Sequence, residues 1–143
     1  MASGNKFQIY VQNVANGVHN FNTDVFKVCL TDVAPVATNT VFANITEIAA
    51  VNGYAAGGAT VTLTSSSETA GTYKYIATCA NPTWTASGGA IAQFRYFVLY
   101  DTTPTVPLKP LVAWWDYGSE VNLANTQTFY VSFDVVNGIL QLS

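Results

Sequence analysis

The stretch VAWWDYGSE, residues 112–120, sets two carboxylates, Asp116 and Glu120, beside three large rings, Trp114, Trp115 and Tyr117. Aromatic platforms next to carboxylates occur in sugar-binding sites, and a glycosidase needs two carboxyl groups facing one another across a cleft. Neighbouring residues of a strand point to opposite faces, so one tryptophan of the pair belongs to the core and the other to the surface. The other reading of the same residues is a core tryptophan whose neighbours make an assembly or sheet contact.

The remaining chemistry-bearing residues are scattered. His19, the single histidine, lies among turn formers in NGVHNFN and reads as an exposed turn residue. Alone it builds no multi-histidine metal site, and with no glycine-flanked serine elbow in the chain it completes no serine triad of that kind. Gly53 to Thr60 runs Gly, four residues, Gly, Ala, Thr, close to a phosphate-cradling loop. Ala59 stands where that loop needs a lysine, and ATVTLTSSS then alternates like a strand instead of opening a helix. The stretch NGYAAGGATVTL therefore reads as a backbone device: glycines allow positive φ in a turn, and Tyr54 packs as the chain re-enters a sheet. Cys29 and Cys79 sit in separate strand-like runs without metal spacing, and read as buried small hydrophobes sooner than as a disulfide. No metal site or cofactor is expected.

What must position these residues is a sheet. Charged residues are 9% of 143, hydrophobic residues 50%, and mean hydropathy is +0.25. The 18 threonines, 12 asparagines and 8 serines then supply most of the polar surface. So few charges leave little to oppose association, which predicts burial against other subunits, the alternative being a monomer with an unusually neutral coat. The net charge of −3 and five dispersed basic residues, Lys6, Lys27, Lys74, Arg95 and Lys109, exclude the basic patch that nucleic acid or an anionic membrane requires. The first ten residues hold no signal-like apolar run, and no segment approaches a membrane span, so synthesis in a cytoplasm is expected.

Period-two patterns predict about eight strands: residues 7–11, 24–30, 60–64, 73–78, 90–100, 110–116, 127–133 and 138–142. One short helix is predicted over 44–51, with Asn44 as cap and Glu47 three residues on. In the long run AIAQFRYFVLYD, Ile91, Gln93, Arg95, Phe97 and Leu99 share one face, and Ala92, Phe94, Tyr96, Val98 and Tyr100 share the other. Asn137-Gly138 marks a hairpin between the last two strands. The expected architecture is one all-β domain over 1–143, an antiparallel β-sandwich or jelly roll, with a short N-terminal arm over about 1–6.

Five pieces in order, GVHNFNTDVFKVCL, NITEIAAVNGYAAGGATVTL, PTWTASGGAIAQFRYFVLYD, PLVAWWDYGSE and GILQL, carry a resemblance across residues 16–142. The chain resembles small structural proteins of tailed bacteriophages, of the capsid decoration or cement type. The matching positions are Gly53, Tyr54, Gly57 and Gly58; Trp84, Thr85 and Ala86; Tyr100 and Asp101; Pro107, Leu108, Asp116, Tyr117 and Gly118; and Gly138, Ile139 and Leu140. A glycine-poor segment before Gly53 and the Trp114-Trp115 pair depart from the family's pattern. The resemblance implies a virion component on the capsid surface with no catalytic residue. Its partners would be the major capsid protein and its own copies in a dimer or trimer, and Trp114 or Trp115, with Tyr117, would be the interface anchors. A tail, fibre or head-completion component and a carbohydrate-binding β-sandwich module are the alternatives.

Overall fold

The computed structural model describes residues 4–61, 65–76, 82–134 and 139–142. Ten strands and one helix are present among them. Strands β1 (Gly4–Lys6), β2 (Phe26–Thr31), β3 (Ala59–Val61), β7 (Ile91–Asp101) and β8 (Leu111–Leu123) form a five-stranded antiparallel sheet in the order β1-β8-β7-β2-β3. Strands β4 (Ser65–Thr69), β5 (Thr72–Ile76) and β10 (Leu140–Leu142) form a second sheet in the order β10-β5-β4. Strands β6 (Thr83–Thr85) and β9 (Thr128–Tyr130) pair separately. The fold is all-β and sandwich-like with one short helix.

Core residues lie on both faces of the large sheet. One cluster joins Phe26, Val28, Leu30, Phe97, Leu99 and Trp115 to Trp84, Phe133, Ile139 and Leu140 from the smaller sheets and their flanks. A second cluster joins Phe7, Cys29, Val98, Tyr100 and Leu111, with Phe42, Ile45 and Trp114 packed against it. Burial on both faces explains why β2 and β7 carry apolar residues on each face. The faces of β7 are not those of a simple alternation: Phe94 shares its cluster with Phe97 and Leu99. The register with β8 shifts between Ile91 and Phe94 and again between Phe94 and Tyr96, and each irregularity re-aims the side chains beyond it.

Two local predictions are overturned. The segment expected as a strand at 7–11 is the helix α1 (Gln8–Ala15), and the arm ahead of it contributes β1, paired to β8 with Gly4 opposite Trp115. Phe7, Tyr10 and Asn13 are buried at a spacing of three while Val11 is exposed, so the operative period is helical. Gly17, at φ 69°, ends the helix: its N–H donates to Val14 O (3.1 Å) and that of Val18 to Asn13 O (2.9 Å), a Schellman arrangement. The helix expected at 44–51 is absent. A single 3-10 turn at Phe42–Asn44 precedes an extended segment whose Ile48 N–H donates to Leu30 O on the β2 edge.

Divider segments also differ from expectation. SSSETAG supplies β4 and its turn, and GSEVNLAN continues β8 to Leu123. Residues 62–64, 77–78, Cys79 and the Asn137-Gly138 turn lie outside the described residues.

Candidate functional site

The glycine-rich stretch is a backbone device. Asn52, Gly53, Gly57 and Gly58 all have positive φ, and Tyr54 is buried. A Cβ on Gly58 would collide with the Val28 carbonyl and the Cys29 Cα, so only glycine lets the chain cross β2 so closely. The Tyr54 hydroxyl accepts from Leu30 N–H (3.0 Å) and donates to Glu47 Oε1 (2.7 Å), and the same oxygen accepts from Gly57 N–H (2.6 Å). The phenol thereby satisfies a donor of β2 beyond the residues that β3 reaches. Its own ionisation is pushed far up by burial.

His19 is not an exposed turn residue. Its Nδ1 lies 2.9 Å from Asp101 Oδ2, with both side chains fully enclosed. Tyr10, Phe21 and Phe26 surround the ring at centroid distances of 5.8, 6.1 and 6.2 Å. Burial raises the Asp101 carboxyl above the ordinary carboxylate range, and hydrogen bonds from His19 and from Thr103 N–H act against that rise. Nε2 of the ring is enclosed as well. The pair is a clamp, tying the loop after α1 to the end of β7. The turn composition around His19 hid this, because its partner comes from the far end of another strand.

The residues of VAWWDYGSE divide between core and surface. Trp115 is buried, stacked on Phe97 at 5.5 Å and edge-on to Phe133 at 5.6 Å. Trp114 points the other way, as strand alternation requires, but it is half-buried against Phe7 at 4.5 Å and is not the exposed member the sequence predicts. Asp116 commits both oxygens to Arg95 (2.8 Å each), and the guanidinium holds its carboxyl below the ordinary range. It also accepts from Gly118 N–H (2.8 Å), which fixes the irregular turn of β8. Glu120 is exposed on that same excursion.

Tyr117 is the surface aromatic of this stretch, 51% exposed, and it packs edge-on against Phe129 at 5.6 Å. Beside them lies a cleft of about 190 Å³. Trp115 and Phe97 form part of its lining; Tyr130, 62% exposed, together with Phe133 and Ile139 supplies more, and Ser132 and Asp134 add polar groups. Phe129, Tyr130 and Phe133 escaped the sequence reading, since no local pattern joins residues 129–133 to 115–117. The aromatic-rich run TFYVSF was the available signal.

Cys29 is a buried thiol with its ionisation pushed up by desolvation. Among the described residues, no three His, Cys, Asp or Glu side chains group as metal ligands, and no helix is long and apolar enough to cross a membrane. No protein-family model matches the chain, and no curated protein or solved structure matches it.

Proposed function

We propose that the protein acts by binding, as a capsid decoration protein of a tailed phage that adheres to the outside of the major capsid shell and stabilises it. The observation carrying this reading is the aromatic cleft, in which Tyr117 and Tyr130 stand half out of the surface over a floor of buried rings. Rigid tyrosines beside a pocket are the usual anchors of protein interfaces, because they bury much area and lose few rotamers. A cleft of about 190 Å³ accommodates a single apolar side chain of a partner. The sparse charge of the chain favours such contacts, and repetition over a shell multiplies a modest one. The ordered resemblance to phage structural proteins supplies the identity of the shell. Association into a dimer or trimer belongs to the same proposal.

The sugar-binding reading survives as a second one, because Ser132 and Asp134 sit beside the exposed ring faces. One variant separates the two. Tyr117→Ala should weaken co-sedimentation with capsid shells at least about tenfold, with the melting temperature nearly unchanged because the ring is half exposed. Unaltered shell binding, with loss of retention on a glycan array, would move the protein to the carbohydrate class.

A further inference from the structure

We propose that a second pocket, on the opposite side of the large sheet from the aromatic cleft, binds an anionic group of carboxylate or phosphate type. Its volume is about 350 Å³, and Lys27, Phe42, Glu47, Gly57, Tyr100 and Lys109 shape it. The chain has five basic residues, and two of them converge here. Arg95 is tied to Asp116, and Lys6 is exposed on β1. Among the described residues, Lys27 and Lys109 have no carboxylate within ion-pair distance, although both are half-buried. Ammonium groups that line a pocket without an ion-pair partner can make charge-assisted hydrogen bonds to an incoming anion.

The backbone sets where both lysines emerge. Lys27 lies opposite Tyr100 in the β2-β7 ladder, and its Nζ is 4.0 Å from where a Cβ on Gly57 would stand. A Cβ at Gly57 would press on the Tyr100 hydroxyl at 3.1 Å, so the glycine lets that wall close up beside Lys27. Lys109 has φ 51°, unusual for a lysine, and its carbonyl accepts from Phe42 N–H (2.9 Å). That conformation carries its Nζ over the Phe42 ring, 5.3 Å from the centroid, while Phe42 stacks on Tyr100 at 4.5 Å. The Tyr100 hydroxyl is committed to Gly57 O (2.7 Å), so it forms wall. Glu47 spends Oε1 on Tyr54 and Gly57. Two ammonium groups against one carboxylate leave the pocket net positive in a chain of net charge −3. Lysines present point charges, which suit a phosphate or carboxylate without demanding a planar bidentate partner.

The test is an amide chemical-shift titration of the full chain with inorganic phosphate and, separately, with acetate. Saturable shifts at Gly57, Thr102 and Lys109 are expected, weakened about tenfold in Lys27→Met and in Lys109→Met and unchanged in Lys6→Met. Saturation by phosphate alone assigns a phosphoryl ligand, and saturation by acetate a carboxylate such as an acidic side chain of a partner. Shifts that never saturate, or that persist undiminished in both pocket variants when their melting temperatures match the parent, would overturn the proposal.

Discussion

At the scale of single residues, backbone freedom and buried pairing decide most. Gly58 and Gly88 both have positive φ, but a Cβ would strike the β2 backbone at Gly58 and meet open space at Gly88. Gly88→Ala should therefore cost about 1 kcal/mol of strain, and Gly58→Ala about 3 kcal/mol or more, read from urea denaturation; equal losses would contradict the close crossing. His19→Ala leaves the Asp101 carboxyl enclosed without its ring partner, and should destabilise by about 3 to 5 kcal/mol. A melting temperature equal to that of the parent would show that the clamp contributes nothing. The glycine turn and the packing of Tyr54 were legible because positive φ and ring burial are properties of local sequence. The His19–Asp101 pair was not, because the two residues meet only when the loop after α1 folds across the end of β7.

At the scale of elements, tertiary contacts outbid local pattern in two places. Residues 7–14 fit either period, and the deciding facts are the burial of Tyr10 at a helical spacing and the Asn16-Gly17 stop, a signal present in the sequence. In 44–51 the capping residues are spent elsewhere: Asn44 Oδ1 accepts from the backbone N–H of Thr40 and Val41, and Glu47 turns to Tyr54 and Gly57. The long central strands were readable because both of their faces are apolar, whereas the irregular register that moves Phe94 to the other cluster has no sequence signature. Tyr54→Phe should keep the ring's packing but leave Leu30 N–H without its acceptor and Glu47 with Gly57 N–H as its remaining donor of the two, losing about 1 to 3 kcal/mol. Hydrogen exchange at Leu30 should quicken in step, and an unchanged rate would mean that another acceptor serves the β2 edge.

At the scale of the whole molecule, a low-charge sandwich presents an aromatic cleft on one side and a pocket with two lysines on the other. The core was legible in composition, but the cleft was only half so: Trp115 and Tyr117 were named from sequence, while the β9 side that completes it follows from topology. Trp114, the other expected anchor, serves packing against Phe7. Whether this surface adheres to a capsid shell can be read from copy number on a phage head. Purified protein would be mixed with mature heads that lack it, washed, and its bound copies counted and located by electron cryo-microscopy. Many copies following the capsid lattice are expected, with Tyr117 and Tyr130 at the contact; a few copies at a single vertex, or none at all, would contradict the proposed decoration role.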